Sequence, residues 1–134
     1  MNTDRELLEL AAKAVGYQTG HKWNRERLEM DPPVTAMVVH DAAGELVSTG
    51  WNPLDDDGQA LRLAVKLSLM LDIYSGVVVG HDLKAALNIT DAWYERDSGN
   101  SPGAAASMLH NGDPCGATRR AIVRAAAEIG RSMP

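Results

Sequence analysis

Apolar positions recur along this chain in two rhythms, and the switches between them mark out its elements. Near the start, Leu7, Leu8, Ala11, Ala14 and Val15 return at helical spacing, with Arg5, Glu9 and Lys13 on the side left to water. Thr3 and Glu6 stand where a capping box forms, each side chain serving the other residue's backbone amide. Gly16 supplies the left-handed residue that stops a helix. Residues 17–33 are polar and end on Pro32-Pro33, which predicts a loop. The run 34–40 (VTAMVVH) is rich in β-branched residues and predicts a strand. Asp41-Ala42-Ala43-Gly44 makes a turn, and 45–49 is the returning strand.

The segment 50–58 holds a proline and three adjacent carboxylates, so it predicts a loop. A second helix follows over 58–71, its first turn favoured by the aspartates before it. Leu61, Ala64, Val65 and Ser68 form one stripe, and Leu63, Leu67 and Met70 a neighbouring one, with Arg62 and Lys66 on the polar side. Two apolar stripes predict a helix buried over most of its circumference. The run 76–80 (GVVVG) reads as a short strand, 81–84 as a turn, and 85–94 as a longer strand. Residues 98–112, rich in Gly, Ser, Ala and Asn, predict a mobile loop. Asp113 and Pro114 then open the last helix as N-cap and first-turn proline. Thr118, Ile122, Ala125 and Ile129 share one of its faces, Arg120, Arg124 and Arg131 the opposite one, and Gly130 ends it.

The resulting order is αββαββα. Two hairpins joined edge to edge give a four-stranded, mainly antiparallel sheet with three helices: an α+β fold layered as an α/β/α sandwich. The unbroken apolar runs Met37-Val38-Val39 and Val77-Val78-Val79 point to at least partial cover on both sheet faces. A chain of 134 residues is long enough for one core, so residues 1–134 are read as a single domain. The two edges of such a sheet leave a homodimer open.

Composition narrows the chemistry. Cys115 is the only cysteine, which excludes an internal disulfide and a cysteine zinc cage within one chain. No apolar run approaches the roughly 20 residues that cross a bilayer, and the polar, acidic start is no secretory signal. A soluble cytoplasmic protein with no membrane partner is expected. The net charge is −5. Binders of nucleic acid usually carry a basic excess, and here it is confined to Arg119, Arg120, Arg124 and Arg131 near the C-terminus.

Two segments carry a family likeness. Trp51-Asn52-Pro53-Leu54, followed by Asp57-Gly58-Gln59-Ala60-Leu61-Arg62-Leu63-Ala64-Val65-Lys66-Leu67, is one. Gly112-Asp113-Pro114 with Ala117-Thr118-Arg119-Arg120-Ala121-Ile122-Val123-Arg124 and the residues to Gly130 is the other. Both resemble motifs of the phage ABA sandwich domain family. The resemblance implies a layered α/β fold and a phage or prophage gene expressed in a bacterial host. It implies no reaction.

The candidate partner-binding residues are Trp51, Asn52, Asp55, Asp56 and Asp57 at one corner and Arg119, Arg120 and Arg124 on the last helix. Tryptophan is a common interface anchor and carboxylates grip a basic partner. The structural alternative folds Trp51 into the core, makes Asn52 an Asx turn and uses one aspartate as a cap. The arginines suit phosphates or acids, or simply a solvated helix face. The four histidines show no metal-ligand spacing, and three consecutive aspartates do not make a calcium loop. Cys115 lies in a helix first turn, where the dipole favours a thiolate, but it has no base beside it in sequence. No P-loop, GxGxxG or GxSxG occurs, so no cofactor, metal or catalytic residue is assigned. The expectation is a non-enzymatic phage accessory module acting by contact with a host or phage protein, for instance on a defence machine. The alternatives are a nucleic-acid-binding domain using the arginine helix and a small-molecule enzyme.

Overall fold

The structure, a computed structural model, describes residues 3–74, 88–95 and 102–134. The elements within them are α1 (Asp4–Ala14), α2 (Lys22–Leu28), β1 (Met37–His40), β2 (Leu46–Trp51), α3 (Asp57–Lys66), β3 (Met70–Tyr74), β4 (Ile89–Glu95), β5 (Pro102–Leu109) and α4 (Pro114–Ser132). The fold is mixed α+β. The expected strand 76–80 and turn 81–84 lie outside the described residues.

The locally encoded features form as their residues dictate. The capping box closes in both directions, with Glu6 N–H to Thr3 Oγ1 at 3.2 Å and Thr3 N–H to Glu6 Oε2 at 3.3 Å. Gly16 takes φ +80° after α1, and Gly44 takes φ +86° in the turn between β1 and β2. Those strands pair antiparallel, Met37 opposite Trp51 and Val39 opposite Ser48. Asp113 caps α4, its Oδ1 accepting from Gly116 N–H at 2.9 Å, and Pro114 follows. Asp113→Ala should therefore cost about 1 kcal/mol, read as a lower urea midpoint.

Four expectations are corrected. Residues 17–33 contain α2, so the described residues alone hold four helices where three were expected. The N-cap of α2 is His21, and its buried residue is Asn24, which bonds β1. The helix expected over 58–71 stops at Lys66, because Ser68 turns left-handed at φ +52° and closes the helix end; the chain then extends as β3. The stretch expected to be a loop up to Gly112 contains β5, paired along β4. In place of the single four-stranded sheet, the described strands form two sheets, β1-β2 and β3-β4-β5, both antiparallel.

α4 lies between the two halves. Ile122, Val123, Ala126 and Ala127 join Leu7, Leu8, Ala11 and Ala12 of α1, Met37 and Val39 of β1, and Leu63 and Ala64 of α3 in the main core. On its other side Ala121 and Ala125 meet Ala92 of β4, with Leu69, Leu71, Ala106 and Met108 around them. Apolar residues therefore occupy more of this helix than a single stripe would. Gly130 does not end α4, which runs on to Ser132; it lets α4 approach the α1 backbone at Leu10. Arg5, expected in water, is 8% exposed. Among the described residues no helix is long and apolar enough to cross a membrane.

Candidate functional site

The corner that follows β2 is built from its polar side chains. Trp51 is 4% exposed and packs edge-on to Tyr17, ring centroids 5.8 Å apart. It is a core residue and presents no anchor to a partner. Asn52 makes the Asx turn, Oδ1 accepting from Leu54 N–H at 3.1 Å, and its Nδ2 donates to Asp55 at 3.2 Å. Asp56 caps α3, accepting from Gln59 N–H at 2.8 Å. The Gln59 carboxamide reaches back to the same corner, its Oε1 accepting from Asn52 N–H at 2.6 Å.

Arg119 of α4 fastens this corner to the C-terminal half. Its Nε donates to the Leu54 carbonyl at 2.7 Å and its Nη1 to Asp57 Oδ1 at 2.7 Å. The hydrogen bond to Asp57, reinforced by the charges of Asp113 and Asp55, raises the guanidinium's affinity for its proton above the ordinary arginine value, against the effect of burial. The structure thus brings together Asn52, Asp55, Asp56, Asp57 and Arg119. It does not bring Arg120 or Arg124 to them. Arg120 pairs with Asp4 of α1 at 3.1 Å, and Arg124 lies against Met108 Sδ at 3.2 Å.

Beside the Arg119–Asp57 pair lies a cleft of about 380 Å³ between α3, β3 and the first turns of α4. Ala60, Leu61, Leu71, Ile73, Pro114 and Ile122 supply its apolar walls, and Cys115 and Thr118 line it as well. Leu61 and Ile73 remain 58% and 56% exposed. Val65, one turn after Leu61, is more exposed still, so Leu61 and Val65 of the first stripe face outward, while its Ala64 faces the core with Ala60 and Leu63. This corrects the expectation that two apolar stripes bury α3 over most of its circumference: one side packs on the core, and Leu61 and Val65 are left to solvent. The sequence held no signal for Ile73, which only the early end of α3 places at the cleft.

Behind the cleft a buried polar chain joins three elements. Thr90 Oγ1 lies 3.0 Å from Thr118 Oγ1 and 2.8 Å from His110 Nε2. Thr90 is fully enclosed, so this chain ties β4 to α4 and to His110, the residue just after β5. Cys115 is exposed at the mouth of the cleft as a free thiol. Among the described residues, no group of three His, Cys, Asp or Glu side chains is placed to hold a metal ion. No family model, curated protein or solved structure matches this chain.

Proposed function

We propose that the protein is a non-enzymatic binding module whose α3–β3–α4 cleft receives a basic, amphipathic segment of a partner protein. The observation that carries this reading is an apolar cleft left open to solvent, with Leu61 and Ile73 more than half exposed beside it and Asp55, Asp57 and Asp113 gathered around Arg119. Exposed apolar side chains rimmed by polar groups are what protein interfaces are made of. One arginine among three carboxylates leaves the rim acidic, which favours lysine or arginine flanking the inserted side chains. The same charge disfavours a second copy of this chain, since the protein carries −5 overall.

The phage or prophage setting, and action on a host or defence machine, are part of the same proposal. The resemblance of the segments around Trp51–Leu67 and Gly112–Gly130 to the phage ABA sandwich family supports them. The nucleic-acid alternative has less support, because Arg119 and Arg120 already serve Asp57 and Asp4.

Selection from a displayed peptide library tests the reading. The expected peptides carry two or more large apolar side chains with lysine or arginine beside them. Leu61→Asp and Ile73→Asp should each abolish capture while shifting stability by only about 0.5 kcal/mol, as exposed positions usually do. Enrichment of acidic peptides, or capture that survives both substitutions, overturns it. Self-association lost with Leu61→Asp would make a second copy the occupant and overturn the basic partner.

A further inference from the structure

A second cavity, of about 520 Å³, opens between α1 and α2 and shares no lining residue with the cleft. Arg5 and Glu9 of α1 line it, with Lys22, Arg25 and Glu26 of α2 and the N-cap residue His21. Its chemistry is the reverse of the cleft's: charged and rich in donors.

Arg5 is the unusual member. It is 8% exposed, yet its Nη2 reaches only the Val34 carbonyl, at 3.3 Å, and its buried Nε finds no acceptor among the described residues. No ion pair joins it to a described carboxylate. Burial depresses its proton affinity, Glu9 offsets this, and the nearby Arg27 charge adds to it. Arg27 is itself held by neutral carbonyls, those of Ala36 at 3.0 Å and Thr49 at 2.6 Å. A buried guanidinium with an orphan donor and a like charge beside it is costly unless an anion completes it.

The other walls fit the same anion. His21 Nδ1 accepts from Trp23 N–H at 3.1 Å, so the proton of the neutral ring sits on Nε2, which is a donor. Lys22 and Arg25 are exposed cations on the α2 wall. Asn24 bonds Thr19 and Val38 and so fixes α2 against β1, which holds this wall in place before any ligand arrives. Arg5, Lys22 and Arg25 outnumber Glu9 and Glu26, and three cationic donors suit the three terminal oxygens of a phosphate monoester better than the two of a carboxylate. Glu9 and Glu26 cannot take an anion but accept well from hydroxyls. A concavity of this volume suits a small molecule.

We propose that this cavity binds a sugar phosphate, the phosphate against Arg5, Lys22 and Arg25 and the sugar hydroxyls against Glu9 and Glu26. Calorimetric titration at fixed ionic strength, with ribose 5-phosphate, ribose and inorganic phosphate as probes, tests it. Ribose 5-phosphate should bind saturably, inorganic phosphate more weakly, and ribose not measurably. The double variant Lys22→Ala/Arg25→Ala changes only exposed side chains. It should melt with the wild type and bind ribose 5-phosphate at least about tenfold more weakly, the loss expected for charged hydrogen bonds. Arg5→Met should abolish binding with the fold retained. No saturable binding of ribose 5-phosphate to the wild type, or unchanged affinity in the double variant, overturns the site. Inorganic phosphate binding as tightly as ribose 5-phosphate overturns the sugar assignment.

Discussion

Gly130→Ala destabilises the protein by about 3 kcal/mol, which at this chain length lowers the melting temperature by roughly 10 °C. In an ordinary helix interior the same change would stabilise by about 1 kcal/mol, because glycine has the greater freedom to lose. The sign reverses here because α4 crosses α1 at this point. A methyl group on residue 130 would lie 2.8 Å from the Leu10 carbonyl carbon and closer still to its oxygen. The obstacle is backbone, which cannot rotate away as a side-chain tip does. Relief requires the two helices to part, and with them Leu8, Ala11, Ala126 and Ala127 in the main core. Urea unfolding of the variant measures the loss. A variant as stable as the wild type would mean that the helices are not in backbone contact.

Asn24→Ala costs about 4 kcal/mol. The side chain is 5% exposed and makes three hydrogen bonds: Nδ2 to the Thr19 and Val38 carbonyls, both at 2.9 Å, and Oδ1 from Val38 N–H at 2.7 Å. Val38 is passed over in the pairing of β1 with β2, which matches Met37 with Trp51 and Val39 with Ser48. The carboxamide thus gives Val38 the two bonds that a neighbouring strand would give. Alanine strands both groups in a buried setting, at about 1–3 kcal/mol each. Asn24→Asp separates the contributions: it can still accept from Val38 N–H but sets a charge against the Val38 carbonyl, so it should be no better than alanine. Equilibrium unfolding checks both. A loss below about 1 kcal/mol for alanine would show that α2 is not held by this residue.

What could be read in the sequence was whatever the chain encodes locally. The box of Thr3 and Glu6, the Asp113-Pro114 start of α4 and the Gly44 turn each bring their own partners within a few residues. α2 has no apolar stripe to announce it, since Trp23 and Leu28 are exposed and its anchors are the polar side chains of Asn24 and Arg27, bonded to Val38, Ala36 and Thr49. The end of α3 was hidden because Ser68 does the work usually given to glycine, and the apolar spacing continues through Leu69 and Leu71 into β3. β5 was hidden by its composition. Small residues have weak strand preference, yet at Ala106 a small side chain is what fits against Ala121 and Ala125.

The candidate site divides the same way. The Asx turn of Asn52 and the cap of Asp56 follow from neighbouring residues, and both were among the structural readings of that corner. The tie from Arg119 to Leu54 and Asp57 spans more than sixty residues, and no spacing rule reaches that far. The cleft depends on three elements meeting. Arg5 looked solvated because helical spacing cannot show that the Val34 carbonyl, twenty-nine residues on, comes within reach of it.

The face that α4 turns to the three-stranded sheet is almost featureless, since methyl groups meet methyl groups at Ala92, Ala121 and Ala125. Such smooth surfaces could slide by a residue with little loss of packing. The hydrogen bond from enclosed Thr90 to Thr118, which is half-buried at the cleft, then acts as a locating pin: one setting of the helix along the sheet makes it, and any neighbouring setting loses it.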